Sequence, residues 1–189
     1  MQTSLQNLAT LATELQNNAP FIEAVNQAAA LSIESLKNKG TLLICGNGGS
    51  ATQASHMTGE IVGRFAYDRP ALAAISLFDL ATTTAIGNDY GYDHIFSRFI
   101  DGIGKQNDLL FCLSTSGNSG NCIKAIHSAK EKNIKVISLL GKDGGKMKEL
   151  SDIAIVVPHN STPLIQEIHL NIIHTLCKKI ELSLFPETL

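Results

Sequence analysis

The sequence predicts an α/β protein, a three-layer αβα sandwich in which helices cover both faces of a mostly parallel, five-stranded sheet. Three observations carry this. From residue 41 onward, short apolar runs alternate with helix-patterned segments. The runs are apolar in both phases, as strands buried on both faces are. Two of them end in Gly- or Ser-rich turns that lead directly into helices. Alternating βα order implies right-handed crossovers and a parallel sheet.

In order along the chain, Leu5, Leu8, Leu11, Ala12 and Leu15 recur at helical spacing. A second helical run through Phe21, Ile22, Val25, Ala28, Ala29, Leu31, Ile33 and Leu36 ends near Gly40. Strands are expected at 41–45, 72–77, 109–113, 136–140 and 153–157, and helices at 50–65, 121–132, 146–150 and 165–184. No solenoid repeat, low-complexity tract or linker divides the chain, so 1–189 reads as one domain, with a helical region at 1–39 and an α/β core at 40–189. The two leading helices are expected to pack between subunits of a closed oligomer.

A chain of 189 residues buries a core without disulfides. Its 44% hydrophobic and 17% charged residues are ordinary globular usage, which excludes a disordered chain. The net charge is -2, and no block of Lys or Arg could follow a phosphate backbone, so direct nucleic-acid binding is not expected. Cys45, Cys112, Cys122 and Cys177 form no Cys-x-x-Cys pair, which fits reduced thiols in a cytoplasmic protein. No segment reads as a signal peptide or approaches the roughly 20 apolar residues of a membrane span.

Ligands of open parallel sheets bind beyond the carboxyl ends of the strands, which directs attention to two turns. Gly46, Asn47, Gly48, Gly49 and Ser50 place three glycines between a strand and a helix, where backbone amides can approach an anion. A plain βα connection with Ser50 as N-cap is the simpler reading of this turn. It also matches a dinucleotide fingerprint at Gly46, Gly48 and Ala51, but no acidic residue ends the next strand and the fingerprint is incomplete. The second turn, Ser114, Thr115, Ser116, Gly117, Asn118 and Ser119, sets four hydroxyls at a helix start, enough to bind the oxygens of a phosphate monoester without a cation.

His56 and Glu60 lie four apart and share one helix face, as a surface ion pair does or as two groups on one metal or substrate do. Gln166, Glu167, His169 and His174 sit in the apolar last helix. Over the eight residues from Gln166 to His174 that helix advances about 12 Å. The two therefore reach one centre only from opposite ends, unless one comes from a second subunit. Histidine, carboxylate and amide oxygen are donors that zinc accepts.

Taken together, Cys45-Gly-Asn-Gly-Gly-Ser, His56-x-x-x-Glu60, Gly87-Asn-Asp-Tyr-Gly, Ser114-Thr-Ser-Gly-Asn-Ser, Gly141-Lys-Asp-Gly-Gly and Ile165-Gln-Glu-Ile-His169 resemble the phosphoheptose isomerases, a family of single sugar-isomerase (SIS) domains. The resemblance implies a cytoplasmic homotetramer that interconverts sedoheptulose 7-phosphate and D-glycero-D-manno-heptose 7-phosphate, the first step toward ADP-heptose. It implies substrate contacts at Asn47, Gly48, Gly49, Ser50, Glu60, Asn88, Asp89, Ser114, Thr115, Ser116, Ser119 and Gln166. One zinc per subunit would be held at His56, Glu60, Gln166 and His174, with Glu60 as base and His174 as proton shuttle. Some relatives of the family instead bind a replication initiator and share a Leu-Phe-Pro such as Leu184 to Pro186, but depart at the positions of Glu60 and His174. Some isomerases carry an acidic residue where this chain has Pro163.

Overall fold

The computed structural model describes residues 1–186. Five strands, β1 Leu42–Gly46, β2 Ala74–Ser76, β3 Leu109–Ser114, β4 Lys135–Gly141 and β5 Ile153–Val157, form one sheet in the order β2-β1-β3-β4-β5. Every pairing is parallel. The strand order reverses direction between β1 and β3, so the crevice beyond their carboxyl ends is where such a sheet binds a ligand.

Successive strand residues point to opposite faces and feed two cores. Leu42, Ile44, Leu109, Phe111 and Leu113 pack with helices α1 Gln2–Gln16, α2 Ala19–Lys37, α3 Gly49–Val62 and α8 Thr162–Leu184. Leu43, Cys45, Leu110 and Cys112 pack with α4 Leu80–Tyr90, α5 Ile95–Ile103, α6 Gly120–Glu131 and α7 Gly145–Leu150. The three layers match the expected sandwich. The first two helices close the first core through Leu11, Leu15, Val25 and Ala28.

Two differences from the sequence reading have physical causes. The run at 72–77 contributes only three residues to the sheet, and Ile75 is exposed, because β2 is an edge strand with one neighbour rather than a strand covered on both faces. Helices α4 and α5 fill a stretch assigned no element, with a 3-10 turn at Tyr92–His94 between them. In α5, Ile95, Phe96 and Ile100 are buried at helical spacing, a pattern that was there to be read. Among the described residues no helix is long and apolar enough to cross a membrane. All four cysteines are free and buried, and burial pushes the Cys177 thiol up to about 12, which keeps it protonated and inert.

His169 lies wholly inside α8's buried face, its Nε2 3.0 Å from the Leu140 carbonyl and its Nδ1 without a partner. Burial drops its pKa from 6.5 to about 4, outweighing the Leu140 bond, which favours the charged ring. The unfolded chain therefore binds the extra proton first as pH falls. Stability from this group is full above pH 6.5 and lost as pH falls toward 4. The loss amounts to about 3 kcal/mol at the acid end. A His169→Gln variant is expected to show a flatter stability curve between these pH values in urea titrations; an unchanged slope would mean that His169 is not the titrating group.

Candidate active site

The Gly-rich turn follows from the need to leave β1 and start α3 at once. Gly48 is the N-cap of α3 with φ +55, a left-handed value that favours glycine, and no side chain caps the helix. The Ser50 and Ala51 amides close the first turn on the Asn47 and Gly48 carbonyls, both at 3.0 Å, which leaves the Gly49 amide for a ligand, and Ser50, the cap in the plain reading of this turn, is instead buried against it. Asn47 is fixed on both sides. Its amide donates to Asn121 Oδ1 at 2.9 Å, and its Oδ1 accepts from Asn121 Nδ2 at 2.8 Å and from the Tyr92 hydroxyl at 2.9 Å. Asn121 and Tyr92 were not foreseen; the signal for Asn121 is an amide on the apolar, buried face of α6.

In the serine turn, the Ser114 hydroxyl lies 3.0 Å from that of Ser119 and 3.4 Å from that of Ser116. Ser114 Oγ accepts from the Gly117 amide at 3.1 Å, and Ser116 Oγ accepts from the Asn118 amide at 3.2 Å. Each of these oxygens accepts one amide and still carries its own proton, to donate to a neighbouring hydroxyl of the turn or to a ligand. The two turns face each other across a cleft of about 220 Å³ lined by Asn47, Gly49, Ser50, Ser114, Thr115, Ser116, Ser119, Thr162 and Gln166. No Lys or Arg lines it. Hydroxyls, amides and a helix N-terminus make it suited to a phosphate ester. Replacing Ser116 and Ser119 by Ala should weaken phosphate-ester binding by about 1.5 to 3 kcal/mol per lost bond, read by calorimetry. Unaltered affinity would remove the turn from the phosphate site.

The α3 and α8 helices run side by side in the same direction. Gln53 Nε2 donates to the Gln166 carbonyl at 2.7 Å, His56 meets His174 further along, and the turn after α3 meets Glu181 beyond that. His56, Glu60 and His174 thereby come together within one chain. The two Nε2 atoms are 2.9 Å apart, His56 Nε2 is 3.4 Å from Glu60 Oε1, and all three ligand atoms lie within 4.8 Å of one another. Glu60 is about a quarter exposed and His56 more so. The Phe65 ring packs beside His174.

Within one chain, Gln166 lies against Gly49 at the cleft, whereas His174 joins His56 and Glu60. Asn88 and Asp89 are exposed at the end of α4, bonded to each other at 2.7 Å, and do not line the cleft. Pro163 occupies the first turn of α8, where a missing N–H costs nothing.

Residues 6–141 match the family described as the SIS domain. The phosphoheptose isomerase of Helicobacter pylori (strain ATCC 700392 / 26695) is 52% identical over 160 residues, covering 84% of this chain and 83% of that protein. That of Proteus mirabilis (strain HI4320) is 49% identical over 91% of this chain and 90% of its own length. The solved structure of phosphoheptose isomerase from Neisseria gonorrhoeae superposes with a TM-score of 0.89 at 40% identity, over 95% of this chain and 96% of the other.

Proposed function

The chain belongs to the SIS-domain family of phosphoheptose isomerases, and from that premise we propose that it is an isomerase acting on a heptose phosphate, converting sedoheptulose 7-phosphate to and from D-glycero-D-manno-heptose 7-phosphate. One observation carries this reading. A cation-free anion cleft and a cluster of one carboxylate and two imidazoles lie at separate points along the paired helices α3 and α8. A heptose 7-phosphate likewise carries its phosphate at one end and its reacting carbons, C1 and C2, at the other. An initiator-binding role finds no support in the two relatives named above, both phosphoheptose isomerases.

Aldose-ketose isomerisation moves a proton between adjacent carbons through an enediol, which requires a carboxylate-strength base and a proton carrier for the two oxygens. Glu60 is the base, partly shielded from water and aimed at the same space as His174. The facing Nε2 atoms of His56 and His174 are 2.9 Å apart, a separation at which one ring donates to the other. In the metal-free cluster His56 thereby orients the His174 ring beside Glu60, zinc held by the same two Nε2 atoms would replace that hydrogen bond, and His174 is the group we assign to proton exchange with the substrate oxygens. The phosphate held by Ser114, Thr115, Ser116 and Ser119 fixes the sugar's far end, and Gln166 and the Gly49 amide border the path between.

His56, Glu60 and His174 fit a zinc ion. Two imidazoles and a carboxylate are a catalytic zinc donor set, and tetrahedral donors at about 2.0 to 2.2 Å from one ion are themselves about 3.3 Å apart. His56 Nε2 and Glu60 Oε1, 3.4 Å apart, stand at that spacing, and the two Nε2 atoms, 2.9 Å apart, would part by a few tenths of an ångström to hold the ion. When bound, zinc would supply Lewis-acid polarisation of the substrate carbonyl. One ion per subunit is expected, with Gln166 as a further donor once its side chain turns from the cleft toward the cluster, and metal analysis of the purified protein checks it.

A cytoplasmic homotetramer is part of the same proposal. Its support is the apolar cleft between α1, α2 and α8, lined by Leu8, Phe21 and Ile168, and the exposed Phe78, Leu80, Tyr90 and Tyr92. Light scattering decides: a monomeric mass overturns it. For the activity, incubation with sedoheptulose 7-phosphate in deuterium oxide should give an aldoheptose phosphate by NMR, with deuterium entering at carbon. Absence of both product and exchange would overturn the isomerase reading.

A further inference from the structure

Arg69 and Glu181 form an ion pair at 2.8 Å with both side chains 1% exposed, the only buried pair among the described residues. Neither residue touches the phosphate cleft or carries a ligand atom of the His-Glu-His cluster. A buried pair of this kind contributes little net stability over an apolar replacement, because desolvation offsets the attraction. What the pair contacts explains it better.

Glu181 lies seven residues after His174, two turns along the same face of α8. Its Oε1 accepts from the Phe65 amide at 3.0 Å and its Oε2 from the Ala66 amide at 2.8 Å, so it gathers the turn leaving α3. Arg69 spends its remaining donors on the end of α3 itself. Nη2 donates to the carbonyl of Glu60 at 2.8 Å, and Nη1 to those of Ile61 at 3.0 Å and Pro70 at 3.1 Å. The Glu60 and Ile61 carbonyls are ones that the last turn of α3 leaves without intrahelical partners, and a cation there also meets the negative end of the helix dipole. The Arg69 guanidinium lies 5.8 Å from the Phe185 ring centroid.

We infer that Arg69 is a positioning residue for the isomerisation: through Glu181 it ties the backbone of Glu60 to the helix that carries His174, and so sets the base against its proton carrier and against the metal donors. Only a planar group with several fixed donors can hold Glu60, Ile61 and Glu181 at once. A lysine keeps the charge and the pair but cannot span all three.

This inference rests on the isomerase reading, and the test separates the two. Arg69→Lys and Glu181→Asp are compared with wild-type protein for kcat, KM and zinc affinity. The expected result is a kcat lower by about 10- to 100-fold, since misplacement by about 1 Å costs that much. KM for the sugar phosphate should change less than about 3-fold, because the serine cleft at the other end of α3 is untouched. Zinc titrated alone should bind about 10-fold or more weakly, as it does when the groups that orient metal ligands are disturbed. A folded variant with wild-type kcat and zinc affinity overturns the inference. Wild-type protein inert toward sugar phosphates defeats the isomerase reading instead, and zinc affinity alone then decides for or against the strut. Should neither variant fold, Arg69→Ala refolded with millimolar methylguanidinium answers the same question. Recovery of fold, kcat and zinc affinity together supports positioning, whereas recovery of fold alone, or no recovery, reduces the pair to a structural role.

Discussion

Glu60→Gln is expected to give a folded protein that binds its sugar phosphate and turns it over about 10²- to 10⁴-fold more slowly, the usual consequence of losing a general base. Stability should hardly change. The Glu60 side chain is partly exposed and pairs with His56 at 3.4 Å, while the fold uses the backbone carbonyl that Arg69 holds, which the substitution keeps. Substrate affinity should hold too, because the phosphate cleft is lined by none of the cluster residues. Since Gln is also a weaker metal ligand, zinc content is measured alongside and the assay repeated with zinc added. Turnover that stays low with zinc restored identifies lost proton abstraction, turnover recovered by zinc reassigns Glu60 to the metal, and wild-type turnover without added zinc removes Glu60 from the mechanism.

What could be read from the sequence follows how local each signal is. The strands β1, β3 and β4 were legible because each is covered on both faces and reads as an uninterrupted apolar run. The edge strand β2 was overestimated, since its apolar run continues past the three residues that pair. His56 and Glu60 were legible as a pair because four residues of helix put them on one face. Their meeting with His174, 118 positions from His56, depends on α3 and α8 packing in the same direction, which no local pattern encodes. The resemblance to a family brought those residues together on paper, and the fold does so in space. Arg69 had no such signal: an arginine before Pro70 in an irregular segment reads as solvated, and its value appears only once Glu181 is buried beneath it.

Gly117→Ala is expected to have the second large effect, on stability and on phosphate binding together. Gly117 has φ +64, and a methyl group there would run into the backbone carbonyl of Gly144, which itself sits at φ +92 in the Gly141-Lys-Asp-Gly-Gly turn after β4. The two turns interlock: the Gly117 carbonyl accepts from the Met147 amide at 3.0 Å, and Asn118 Oδ1 from the Lys146 amide at 3.1 Å. The left-handed conformation costs a side chain about 1 to 2 kcal/mol, and forcing packed atoms apart a further 1 to 3 kcal/mol or so. For a chain of this size the sum lowers the melting temperature by about 5 to 20 °C. Any relief of the clash moves Gly117 away from Gly144, and its amide, which anchors Ser114 Oγ at 3.1 Å, moves with it. The phosphate donors are then displaced, so KM should rise by about 10-fold or more, one bond to a charged group being worth that much. Gly102→Ala is the control, because nothing lies within 4 Å of a methyl group placed there and α5 should gain slightly from the added side chain. If Gly117→Ala melts and binds like that control, the turn after β4 does not brace the serine loop.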